Sequence, residues 1–270
     1  MKSSRIIVVL SLLSFSSFTA CTSPQTGVYG MPQTTASFSP RHWSGRVPTA
    51  MPIDGEVKGL PVHGTPVQLP GRNTWLSSFV ITKDARFYRD ADPFSEGGLA
   101  GSGRAQADRG RPPEFHSVQV RWHDALFSDG RGTESWSLLN KRGFISNWWL
   151  MTQYTDEGPV SQINVFSAVV SDTNSDGYLD DKDAAVAILT DGSGRGAQVA
   201  TPEDMQLTAV HYVADSQMLG FEVREDENGD GVFAKDEPIH FYFRFPFEDG
   251  ATTWPWHSGE FLDDLDSIYR

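Results

Sequence analysis

Cysteine is almost missing from this sequence. Cys21 is the only one in 270 residues, so no disulfide within the chain can brace its fold. Positive charge is scarce too: 22 Lys and Arg face 35 Asp and Glu, for a formal net charge of −13. So acidic a chain is a poor partner for nucleic acid. There is no G-x-S-x-G, no H-E-x-x-H and no phosphate-binding glycine loop. Gly192-Ser193-Gly194-Arg195-Gly196 has the glycines but reads as a hairpin turn. The apolar run Ile6 to Leu13 is too short to span a bilayer as a mature helix. These absences remove the common hydrolase, zinc-protease and nucleotide-binding classes, and no enzyme is expected.

What is present begins with that run. Lys2 and Arg5 precede it, and Phe18-Thr19-Ala20-Cys21 follows it, placing small residues just before the single cysteine. This resembles a bacterial lipoprotein signal, with Phe18 where leucine is usual. The resemblance implies a signal peptide over 1–20, acylation of Cys21 and attachment to a membrane through the lipid. With Thr22 after the cysteine rather than aspartate, it implies the outer membrane, facing the periplasm or the surface. Residues 22–50 hold sixteen Ser, Thr, Pro or Gly, and no acid appears before Asp54. The segment 21–54 therefore reads as a disordered tether with a reach of roughly 30 Å. A second loose stretch, Ser95 to Pro113, is rich in glycine and arginine. The remainder, 55–265, is the size of one domain.

The densest acid lies in two segments, DTNSDGYLDDKD (Asp172 to Asp183) and DENGDGVFAKDE (Asp226 to Glu237). Each carries five carboxylates and one lysine, a clustering that repels itself unless cations neutralise it. Calcium takes six to eight oxygens, and a loop presenting them at positions 1, 3, 5, 7, 9 and 12 around a glycine at position 6 can wrap it. In the first loop the candidate ligands are Asp172, Asn174, Asp176, the Tyr178 carbonyl, Asp180 and Asp183. In the second they are Asp226, Asn228, Asp230, the Val232 carbonyl and Glu237, with Ala234 contributing only through a water. Two structural calcium ions are expected. An acidic turn without metal uses the same residues, but the repetition favours binding. A sensor would need flanking helices and a methionine-rich groove. The flanks here alternate like strands and the six methionines are scattered.

The ordered part reads as all-β. Ile163 to Val170 and Met218 to Glu225 are short, β-branched or aromatic runs. At the loop offset Val165, Ser167 and Val169 correspond to Leu219, Phe221 and Val223. Further strands are expected over 147–153, 184–190, 207–213 and 239–245, with tight Asp-Gly turns at Asp129-Gly130, Asp191-Gly192 and Asp249-Gly250. Each unit is thus strand, strand, calcium loop, strand, turn, strand: four antiparallel strands, as in a propeller blade. Together with Thr133 to Leu139, these units resemble TolB-type propeller-like repeats of bacterial proteins carrying EF-hand- or dockerin-like D-x-[DN]-x-D-G loops. The resemblance implies an architecture and no activity. Two clear units and a partial third are too few for an obvious ring, so an incomplete propeller or stacked sheets is expected, with Thr74 to Thr82 available to close it.

Other chemistry is sparse. His123-Asp124 reads as a polar strand end, Glu114 with Asp124 as an example of a carboxylate pair that could serve a glycosidase if the fold brought it together, and Trp148-Trp149 and Trp254-Pro255-Trp256 as core rather than sugar platforms. The expectation is a calcium-stabilised envelope lipoprotein that binds or scaffolds an envelope protein or glycan. A hydrolase of envelope glycans and a calcium-dependent adhesin are the alternatives.

Overall fold

The computed structural model describes residues 50–82, 114–213, 216–246, 252–258 and 268. Every described residue belongs to one compact unit within Gln33–Arg270. The signal, Cys21, the loose stretch Ser95 to Pro113 and the Asp249-Gly250 turn lie outside the described residues.

The described residues build open antiparallel sheets. The first joins β2 (Leu60–His63), β3 (Val67–Gln68), β4 (Thr74–Thr82), β6 (Asp124–Asp129) and β7 (Ser135–Ser137), in the order β2-β4-β6-β7 with β3 also on β4. The middle sheet takes β5 (Glu114–Trp122), β8 (Phe144–Thr155), β9 (Gly158–Val169), β11 (Ala185–Asp191) and β12 (Gln198–Val199), ordered β12-β11-β9-β8-β5. The third is a plain meander of β13 (Met205–Val213), β14 (Met218–Glu225), β15 (Ile239–Arg244) and β16 (Trp254–Pro255). A two-stranded pair links β1 (Met51–Pro52) to β10 (Tyr178–Leu179). Both repeat units therefore fold as four consecutive antiparallel strands, with the acidic loop closing the hairpin between the second and third. The domain also starts earlier than composition suggests. Met51 is buried, and Arg142 donates to the carbonyls of Pro52, Ile53 and Gly55, so residues 50–54 belong to the fold rather than to the tether.

The middle sheet is buried on both faces, which is why its strands read as unbroken apolar runs. One face meets the first sheet, with Trp148, Phe166, Val186 and Ile188 packing against Leu76, Val80 and Phe127. Phe166 stacks on Trp148 at 6.4 Å and meets Phe127 edge-on at 6.3 Å. The other face meets the third sheet, with Met151, Ile163, Val165, Ala187 and Leu189 against Leu207, Leu219, Phe221 and Val223. Trp148 and Trp149 point to opposite faces and both pack, as strand alternation requires. Val165 and Leu219 hold the same place in the two units, yet both enter this one core. Faces that carry equivalent residues of the two units thus meet in this core. Blades of a ring would instead pack one face onto the opposite face of the next.

His123-Asp124 marks the corner where the chain passes from β5 of the middle sheet to β6 of the first. His123 is buried and its Nδ1 accepts from the Ile81 N–H at 2.9 Å. Asp124 Oδ1 accepts from Ala125 and Leu139. Burial raises the Asp124 pKa against these hydrogen bonds. The two described Asp-Gly pairs are not two-residue turns. Asp191 opens a six-residue loop before β12, and its Oδ1 accepts from the backbones of Ser193 and Arg195. Asp129 caps the β6–β7 connection in the same way, through Thr133 and Glu134. Of Thr133 to Leu139, only Ser135–Ser137 is strand. Trp256, read as core, is 55% exposed.

Candidate metal centre

The two loops have the same hydrogen-bond circuit. In the first, Asp172 accepts from the backbone N–H of Asp176 (3.2 Å) and Gly177 (2.9 Å), Asn174 Oδ1 from Asp176 (2.9 Å), and Asp176 Oδ1 from Tyr178 (2.9 Å). In the second, Asp226 accepts from Asp230 (3.1 Å) and Gly231 (2.7 Å), Asn228 Oδ1 from Asp230 (2.8 Å), and Asp230 Oδ1 from Val232 (2.8 Å). The twelfth residue accepts from the ninth in both: Asp183 from Asp180 at 2.9 Å, Glu237 from Ala234 at 2.6 Å. Positions 4 and 6 are left-handed in both, with φ of 59° and 86° at Ser175 and Gly177, and 70° and 77° at Gly229 and Gly231. Spacing had pointed to position 6; the bend at position 4 was signalled only by Gly229.

The position-12 residues part company beyond that shared bond. Asp183 is 1% exposed and both its oxygens are engaged, Oδ1 by the N–H groups of Thr173 (2.9 Å) and Asn174 (3.3 Å), Oδ2 by Asp180. Thr173 joins this staple by accepting from the Ala184 N–H at 2.9 Å, a role that an unremarkable position-2 threonine did not announce. Glu237 uses only Oε2. Its Oε1 is buried and has no hydrogen-bond partner, which is costly for a carboxylate oxygen. In the first loop the Lys182 ammonium lies 3.7 Å from Asp176 and 3.6 Å from Asp180, a positive charge drawn between two candidate ligands.

The loops also touch. A Cβ built on Gly231 would lie 2.7 Å from the Asn174 Cα and 3.3 Å from the Thr173 carbonyl oxygen. Gly231 therefore serves both the bend of its own loop and the approach of its neighbour. The side chain at the equivalent Gly177 would meet nothing within 4 Å. Tyr178, by contrast, sits in β10 and is paired with β1, so the first loop is held by the N-terminal strand.

The chain matches no family model, no curated protein and no solved structure. Among the described residues, no three His, Cys, Asp or Glu side chains gather closely enough to hold a metal by themselves. Each loop instead mixes carboxylates with an Asn amide and a backbone carbonyl (Tyr178 or Val232). An oxygen-only donor set with one buried oxygen still unsatisfied fits a hard dication. The catalytic alternative has less to build on, since Asp124 is committed to the backbone at a strand corner.

Proposed function

We propose that this chain is a lipid-anchored envelope protein whose β domain, braced by calcium at two hairpin loops, serves as a binding or scaffold module. The observation that carries the calcium reading is the buried, unpartnered Oε1 of Glu237 at the end of a hydrogen-bond circuit that occurs twice. Asp172, Asn174, Asp176, Tyr178, Asp180 and Asp183 would hold one ion; Asp226, Asn228, Asp230, Val232 and Glu237 the other. When bound, the ion neutralises the clustered carboxylates and ties the two strands of each hairpin together. The protein's part is to hold the ligands in fixed turns, which lowers the ordering cost of binding. A brace rather than a sensor accords with the flanks, since β9, β11, β14 and β15 are strands anchored in two cores.

The likeness to TolB-type repeats rests on the four-strand meander with an acidic loop after its second strand. Of the architectures expected for such units, stacked sheets accord with the meeting of Val165 and Leu219. Attachment through acylated Cys21, export to the outer membrane and a protein or glycan partner rest on the sequence. Titration calorimetry with calcium tests the metal reading: two sites are expected, and the absence of binding heat together with an unchanged melting temperature would reject it.

A further inference from the structure

The two loops differ in what holds their seventh position. In the first, the Gly177 carbonyl accepts from the Ile53 N–H, just past β1, at 3.1 Å. That bond adjoins the pairing of Pro52 with Tyr178 between β1 and β10. The C=O and N–H of one planar trans peptide point opposite ways. The Tyr178 N–H therefore faces away from β1, where it meets Asp176 Oδ1 at 2.9 Å. In an extended strand a residue's N–H and C=O lie on the same side, and Tyr178 belongs to β10. Its carbonyl, the candidate ligand at position 7, is thus turned into the loop by the pairing with β1. Val232, its counterpart, lies outside every strand among the described residues. The Val232 carbonyl is oriented from within its own loop, accepting from the Ala234 N–H at 3.0 Å.

Groups outside the loop fasten β1 in turn. Arg142 Nη1 donates to the carbonyls of Pro52 (2.7 Å) and Ile53 (3.0 Å), and its Nη2 to that of Gly55 (2.6 Å). Met51 is buried with Leu179 of the loop and with Phe144, Val169 and Ala185. Val169 ends β9 and Ala185 opens β11, so one small core joins β1, the loop and both strands that carry it. Resting on the calcium reading of this loop, we propose that Arg142 and β1 are positioning elements of the first site. They hold the Tyr178 carbonyl in its ligating direction, which lowers the ordering cost of binding. The first site is pre-set by the N-terminal strand and the second is not. By reciprocity, filling the first site fastens β1.

The test is calcium titration calorimetry of the full chain in two backgrounds. Asp226→Ala leaves the first site to be read alone, and Asp172→Ala the second. Arg142→Met is expected to weaken the first site at least about fivefold, the low end of coupling between linked sites, and to spare the second. Ile53→Pro, which deletes the donor to the Gly177 carbonyl, is expected to act the same way. Hydrogen exchange gives the reciprocal readout. Calcium should slow the Ile53 amide in the Asp226→Ala protein and not in the Asp172→Ala protein, whereas a general gain in stability slows it in both. Unchanged first-site affinity in Arg142→Met would overturn the proposal, as would an equal loss at both sites, the mark of a merely structural arginine. If Arg142→Met does not fold, unchanged first-site affinity in Ile53→Pro overturns it instead. Absence of calcium binding in wild type would overturn the metal reading and this proposal together; two sites that neither variant shifts would overturn this proposal alone.

Discussion

Glu237→Gln and Asp183→Asn change the same position of the two loops, and their different hydrogen bonds make them opposite tests. At 1 mM calcium and a dissociation constant near ~0.1 mM, of the order found in extracellular modules, each bound ion adds about 1.4 kcal/mol by mass action. In a domain of this size that is about 3–6 °C of melting temperature per site. Glu237→Gln removes the charge and one of two oxygens available for bidentate binding, so the second loop's share of the calcium shift should disappear. In chelator the same variant should melt at or above wild type. The amide oxygen still accepts from Ala234, and the unpaired place is taken by a neutral NH2, whose burial costs less than that of an unpaired carboxylate oxygen. Asp183→Asn should do the reverse. One of its two oxygens, both filled by backbone N–H groups, becomes an NH2 that cannot accept. A buried donor left unsatisfied costs about 1–3 kcal/mol, with or without calcium. Scanning calorimetry of wild type and both variants, in 1 mM calcium and in excess EGTA, separates the two effects. Full retention of the calcium shift by Glu237→Gln would refute the reasoning, and so would wild-type stability of Asp183→Asn in EGTA.

Three further outcomes are expected. Cys21→Ala should move the protein from the membrane pellet to the soluble exported fraction; a variant that still sediments after a carbonate wash argues against the lipid anchor. Asp124 has a raised pKa in the folded chain, so its contribution is fully present below the unfolded value of about 3.9 and is lost as pH rises through the folded pKa. Asp124→Asn, which keeps the acceptor for Ala125 and Leu139, should therefore raise the melting temperature at pH 7 and flatten its decline above pH 4, as read from unfolding curves over that range. Gly177→Ala should cost about 1 kcal/mol from the left-handed backbone alone. Gly231→Ala adds a collision with the Asn174 backbone and should cost at least ~1 kcal/mol more; equal denaturant midpoints for the two would mean that the loops do not press on each other.

Much of the strand pattern could be read directly from residue order. β14 runs over Met218–Glu225 and β4 over Thr74–Thr82, as expected, because apolar and polar residues alternate and turn formers bound them. Both acidic loops were legible because Asp, Asn and Glu side chains recur at fixed spacing around a glycine at position 6. The Asp-Gly pairs misled: at Asp191 and Asp129 the carboxylate caps a longer loop, so local turn propensity gave way to side-chain hydrogen bonding. Trp256 misled as well: it lies just past the two-residue edge strand β16 and rests on Phe243 at the surface. The orphaned oxygen of Glu237 and the hold of Arg142 on Pro52, Ile53 and Gly55 had no signature at all. Both depend on which strands lie opposite, and the contact of Gly231 with Asn174 spans residues that only the stacking of two sheets brings together.

The meeting of Val165 with Leu219 bears on how many such units one chain can hold. Units packed head to tail always leave a free face like the one just used, so a further copy can be added until a ring closes or a solenoid ends. Units packed like to like consume that face in the first pairing, as an isologous dimer does. The pair made by the middle and third sheets is therefore self-terminating. A third copy would find the far side of the middle sheet already taken by Leu76, Val80 and Phe127. The far side of the third sheet offers a different surface, where Ile239 and Phe241 are 43% and 44% exposed. On this geometry a further unit packed in the same way would find no equivalent free face on either sheet.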